Sequence, residues 1–118
     1  MDYTVEQFEE ILDKAYNEKR LSFHEFLIFV CGYGEVEFTH KGICYMIFRL
    51  NDDYSSGKDK KWDRSKDYFT FGEGFYAEEK PKPQQRYESI EELANKANIN
   101  GRLIKDIWNE IEKVNTLD

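Results

Sequence analysis

The run Glu35-Val36-Glu37-Phe38-Thr39-His40-Lys41-Gly42-Ile43-Cys44-Tyr45-Met46-Ile47-Phe48-Arg49 constrains the fold more than any other stretch of this chain. Val36 and Phe38 alternate with Glu35, Glu37 and Thr39, as a strand buried on one side should. His40-Lys41-Gly42 reads as a three-residue hairpin loop, with Gly42 supplying a left-handed backbone. On that reading the return strand sends Cys44, Met46 and Phe48 to the core beside Val36 and Phe38. Ile43, Tyr45, Ile47 and Arg49 then fall on the opposite face. A return strand apolar on both sides is either covered twice or left bare for a partner. The expectation is a second covering layer, with exposure of Ile43, Tyr45 and Ile47 marking the alternative.

Around this hairpin the periodicity predicts helices. Thr4-Val5-Glu6-Gln7 is a capping box, followed by Val5, Phe8, Ile11, Leu12, Ala15 and Tyr16 at helical spacing. Ser22-Phe23-His24-Glu25 caps a second helix that is apolar almost all round, from Phe23 through Cys31, and therefore central. Gly32 and Gly34 end it. Tyr68-Phe69-Thr70-Phe71 reads as a third strand. Gln84 to Tyr87 reads as a short edge strand after the connector Pro81-Lys82-Pro83. Ser89-Ile90-Glu91-Glu92 reads as a third capping box and opens a third helix, broken over residues 98–101. A fourth, capped by Asn100, carries Leu103, Ile104, Ile107, Trp108, Ile111 and Val114. The expected architecture is one α+β domain over residues 1–118. It has an antiparallel sheet of three to four strands, flanked by two N-terminal and two C-terminal helices. One sheet face packs on Phe26, Val30, Ile107, Trp108 and Ile111.

The chain has 118 residues, 40% of them hydrophobic and 16% aromatic, enough to bury a core without disulfides or a structural metal. Cys31 and Cys44 sit among apolar neighbours and read as free thiols. No signal peptide is expected and no apolar run approaches membrane-spanning length, which suggests a cytoplasmic protein. The net charge of −7 disfavours nucleic acid as a direct ligand, because that affinity comes from cations neutralising phosphates. An acidic surface favours solubility and encounter with a basic partner.

Motifs with chemistry are sparse. His24 and His40 have no partner at metal-ligand spacing, so structural roles are expected and no metal or cofactor is assigned. Asp52-Asp53-Tyr54-Ser55-Ser56-Gly57 with Asp63 matches part of a calcium loop, but Tyr54 holds a ligand position and the terminal Glu is missing. Phe71-Gly72-Glu73-Gly74-Phe75 contains a GxG with no helix after it to aim amides at a phosphate. No catalytic residue is assigned. The polar stretch over residues 51–67 reads as a loop. Lys58, Lys60, Lys61, Trp62 and Arg64 form its basic patch around one indole, which reads first as a solvated loop, next as a protein-contact anchor and third as a nucleic-acid contact.

Tyr87-Glu88-Ser89-Ile90-Glu91-Glu92-Leu93, then Ala97-Asn98-Ile99-Asn100-Gly101-Arg102-Leu103-Ile104-Lys105-Asp106-Ile107-Trp108, follow a hairpin of the kind running from Val36 to Tyr45. This pattern resembles small uncharacterised α+β proteins of Gram-positive bacteria and their phages. The resemblance covers about half the chain, and its motifs are structural. It implies an α+β fold and a phage or mobile-element origin, and it transfers no catalytic residue.

These observations point to a non-enzymatic, acidic protein-interaction module, for example a phage regulator or inhibitor of a host protein, of anti-defence or anti-CRISPR type. The candidate partner-binding residues are Lys58, Lys60, Lys61, Trp62 and Arg64 of the loop, with Ile43, Tyr45, Ile47, Glu35 and Glu37 of the hairpin. A toxin-neutralising immunity protein has the same physics. A small-ligand or catalytic domain with an aromatic pocket of Tyr45, Tyr68, Phe71 and Tyr76 is the third reading. A bare Ile43-Tyr45-Ile47 face would also suit a homodimer.

Overall fold

The computed structural model describes residues 2–51, 66–74 and 84–116. The loop residues Lys58, Lys60, Lys61, Trp62 and Arg64, the calcium-like run from Asp52 to Asp63, and Tyr76 lie outside them.

Both N-terminal capping boxes form. In α1 (Val5–Tyr16) the Thr4 hydroxyl accepts from the Gln7 amide at 3.1 Å, and the Gln7 side chain accepts from the Thr4 amide at 2.8 Å. Ser22 and Glu25 do the same for α2 (Phe23–Tyr33). Each reciprocal pair satisfies two donors that a helix start leaves open. Gly32 does not end α2 but lies inside it, under the Phe8 ring of α1; Gly34 is the left-handed cap, at φ +89°. The Arg49 guanidinium donates to the Cys31 carbonyl, placing a cation where the helix dipole favours one. Phe26 to Val30 are all buried, as an apolar helix in the middle of a domain requires.

The main sheet is antiparallel, in the order β4-β3-β2-β1-β7. Its strands are β1 (Glu35–His40), β2 (Ile43–Asn51), β3 (Asp67–Glu73), β4 (Gln85–Tyr87) and β7 (Ile111–Thr116). Between β4 and β7 come α3 (Ile90–Lys96), the small hairpin β5 (Asn98–Ile99) and β6 (Arg102–Leu103), and two 3-10 turns. The α+β class holds, with three helices and five strands in the main sheet rather than four helices and three or four strands.

The missing helix is the C-terminal one. Ile104, Ile107, Ile111 and Val114 have helical spacing, yet residues 111–116 form the edge strand β7 against β1. Isoleucine and valine are stiff at χ1 and suit a pleated surface. Asn100 is not a helix cap; with Gly101 it forms the β5–β6 turn, at φ +53° and +84°. Along β7, Glu37 pairs with Asn115 and Thr39 with Glu112, so Lys113 and Val114 together oppose Phe38. This is a β-bulge, and Lys113 takes the left-handed conformation it needs, at φ +52°.

The hairpin carries the second correction. Lys41 and Gly42 form a two-residue turn with φ +49° and +81°, so His40 pairs with Ile43. Both central residues at positive φ make it the primed turn that matches strand twist. Compared with a three-residue loop, the register moves by one residue and every β2 side chain changes face. Val36 now stands opposite Ile47, and Phe38 opposite Tyr45. Ile47 is fully buried and Tyr45 nearly so, while Cys44, Met46 and Phe48 take the other side.

Among the described residues, the helices cover one face only. Phe69, Phe71 and Tyr87 share that face with Tyr45 and Ile47 through the β2–β3 and β3–β4 registers, and all are buried. Phe38, Tyr45 and Phe71 stack across three strands with centroids 5.6–5.9 Å apart. Phe26 meets Phe38 edge-on at 5.8 Å and Trp108 at 4.6 Å. Each such pair adds about 0.5–1.5 kcal/mol beyond the area it buries. Phe26, Val30, Ile107, Trp108 and Ile111 belong to this helix-side core, as the sequence indicates.

Candidate interaction face of the sheet

The outer sheet face is built from the alternate residues of the same strands. On β2 it carries Cys44, Met46, Phe48 and Leu50. On β1, Thr39, Glu37 and Glu35 stand opposite the first three of these. On β3, Gly72, Thr70 and Tyr68 stand opposite Met46, Phe48 and Leu50. Glu112 of β7 continues the β1 side through its pairing with Thr39. Arg86 of β4 lies opposite Thr70 and places its guanidinium 3.8 Å from the centroid of the Tyr68 ring.

This face is an apolar row with charged borders. Cys44, Met46 and Phe48 are half-buried and Leu50 is exposed. Sheets with one solvated face usually alternate apolar-in and polar-out, which makes four apolar residues on the outer side of a central strand unusual. No helix among the described residues packs on it; α2 and α3 contact each other and lie over the buried face. Glu35 and Glu112 are exposed and pair with no described cation. Glu37 lies 3.5 Å from the Cys44 sulfur. Burial, and then the Glu37 carboxylate, push the Cys44 thiol up from its ordinary range, so it stays protonated near neutrality.

The sequence-derived site residues divide accordingly. Glu35 and Glu37 share the outer face and border the apolar row. Ile43 is exposed at the hairpin end. Tyr45 and Ile47 are corrected: they lie in the helix-covered core and present no surface to a partner or a second copy. The register supplies the residues that replace them, Cys44, Met46 and Phe48, and the sequence held them in the same strand with the opposite phase. The aromatic pocket is corrected too. Tyr45 and Phe71 stack in a filled core while Tyr68 faces out, so the three do not line one cavity.

The two histidines differ. His24 is exposed. His40 is buried, its Nε2 lying 3.1 Å from Glu110 Oε1, and the Arg102 guanidinium donates to Glu110 Oε2 at 2.7 Å. This clasp ties the hairpin turn to the last 3-10 turn. Hydrogen bonds from Arg102 and then His40 hold the Glu110 carboxyl below the usual carboxylate range. Among the described residues, no three His, Cys, Asp or Glu side chains are grouped to hold a metal ion. No described helix is long and apolar enough to cross a membrane.

No family model, curated protein or solved structure matches this chain.

Proposed function

We propose that this protein is a non-enzymatic interaction module that docks the outer face of its sheet onto a larger protein with a basic, partly apolar surface. The observation that carries the reading is the row Cys44, Met46, Phe48 and Leu50 on the solvent side of a central strand, bordered by Glu35, Glu37 and Glu112. An apolar stripe with a charged rim is the usual anatomy of a transient interface, the stripe giving affinity and the rim giving steering and register. The net charge of −7 extends the same field over the whole molecule. A carboxylate rim repels phosphates, which favours a protein over a nucleic acid as direct partner. The role is that of a regulator or inhibitor acting in a cytoplasm, and the likeness to phage-associated α+β proteins makes a host defence protein the concrete target class.

The test is affinity capture from a bacterial host lysate with three baits: wild type, Glu35→Lys/Glu37→Lys, and Met46→Glu. The charge-reversed bait keeps all apolar packing, so it separates lost binding from lost fold. The reading expects a partner retained by wild type and lost from both variants while their circular dichroism is unchanged. Capture of the same proteins by all three baits contradicts it.

A further inference from the structure

A cleft adjoins β7 at the edge of the sheet, and Glu112 borders both it and the outer face. The connector between α1 and α2 runs beside β7 and the preceding 3-10 turn, leaving a cleft of about 400 Å³. Its floor is apolar: Leu21 and Ile111 are buried, and Trp108 and Val114 are half-buried against the core. The walls are fixed to each other. The Trp108 indole N–H donates to the Leu21 carbonyl at 2.9 Å. The Arg20 guanidinium bridges the gap, donating to the Ile111 carbonyl at 3.0 Å and to the Trp108 carbonyl.

Charge at the rim is the informative part. Lys19 and Arg20 come from one wall and Lys113 from the other. None of the three makes an ion pair with a described carboxylate, and Arg20 donates to the neutral Ile111 and Trp108 carbonyls. Two acids also border the cleft. Glu112 pairs with Thr39, which puts its side chain on the outer sheet face. Glu18 is exposed where the chain leaves α1, at φ +56°. Three cations against two carboxylates, around an apolar floor, leave a net positive rim in an acidic protein.

We infer that this cleft binds a small apolar monocarboxylate, its ring or chain on Trp108 and Leu21 and its carboxylate between Lys19, Arg20 and Lys113. The volume is that of a small-ligand site, and an apolar floor with a few convergent charges is how such sites orient a ligand. A guanidinium already held by two carbonyls presents its remaining N–H groups without further ordering cost.

The probe is 3-phenylpropanoate, followed by nuclear magnetic resonance at the Trp108 indole N–H in a Trp62→Phe background, with the neutral 3-phenylpropanamide as its partner. The expected result is a saturable shift for the carboxylate and affinity at least about tenfold weaker for the amide, the order of one charge-assisted contact. Lys19→Gln/Lys113→Gln should weaken the carboxylate by a similar factor, whereas Lys96→Gln, a surface lysine elsewhere, should leave it unchanged. Absence of a saturable shift up to about 10 mM, beyond the weak end of specific binding, overturns the proposal. So does equal binding of acid and amide, or an equal effect of Lys96→Gln.

Discussion

His40 stands directly opposite Ile43, and this one pairing decides which half of β2 is core and which half is surface. It rests on two residues with positive φ, Lys41 and Gly42, of which only glycine takes that conformation without steric cost. A Cβ at Gly42 would meet nothing within 4 Å, so substitution there tests backbone conformation alone. Gly42→Ala should cost about 1 kcal/mol in urea unfolding. Lys41→Asn should raise the midpoint, since Asn-Gly is the favoured pair for this turn. A neutral Gly42→Ala would mean that the turn is not of the primed type.

The contact between α1 and α2 is set by Gly32. A Cβ added there would lie 2.3–2.8 Å from three carbons of the Phe8 ring, so the two helices approach as closely as they do because residue 32 lacks one. Gly32→Ala is expected to destabilise by about 1–3 kcal/mol despite the better helix propensity of alanine. Phe8→Leu in the same chain should recover part of that loss, giving a favourable coupling in a double-mutant cycle. Additive effects would show that the ring and the glycine are not in contact.

Glu110 gives a pH prediction with a definite sign. Hydrogen bonds from Arg102 first and His40 second lower its carboxyl below the ordinary glutamate value of 4.5. A carboxyl with a lowered folded-state value contributes stability that is present above its unfolded value and lost as pH falls through the folded one. Urea midpoints should therefore fall as pH drops below 4.5. Glu110→Gln should be less stable than wild type at neutral pH and should lose less over that acid window. Parallel curves for the two proteins would remove Glu110 from the account.

Cys44 should alkylate slowly at neutral pH, because burial and Glu37 favour its protonated form. In a Cys31→Ser background, Glu37→Gln should speed iodoacetamide labelling, read by mass spectrometry. If the variant labels no faster, the carboxylate does not control the thiol.

The helix-start signals in the sequence survived folding; the departures came from a turn one residue shorter than expected, a helix that runs through Gly32, and a long-range strand pairing. The capping boxes at Thr4 and Ser22 need only residues three apart, and both formed as read. The unbroken apolar run of α2 announced a central helix. The alternation in β1 gave its buried face correctly, because Glu35 and Glu37 cannot both be buried unpaired. Strand β2 has no such marker: Cys44, Met46 and Phe48 are as apolar as Tyr45 and Ile47, so its phase depended on turn length alone. A lysine at positive φ is an uncommon device, and reading His40 into the loop shifted the phase by one. The C-terminal segment failed for a different reason. Its isoleucines fit a helical period, but β1 pairs with residues 71–80 positions away in sequence, and that pairing leaves no local trace. Asn100-Gly101, a strong hairpin pair, was the available clue that the chain turns back there. The candidate face was half legible: alternation places Glu35 and Glu37 on it, whereas the apolar row beside them follows only from the turn length.

The account stands on Met46 lying outside the core and Ile47 inside it, and one methyl signal reports this. The sequence contains two methionines, so methyl-labelled Met46 is identified by a single substitution. With a soluble paramagnetic gadolinium chelate added to the free protein, the Met46 methyl should broaden several-fold more than the Ile47 methyl. The partner captured by the outer face should then protect it. A Met46 methyl as sheltered in the free protein as that of Ile47 would contradict both the register and the interface built on it.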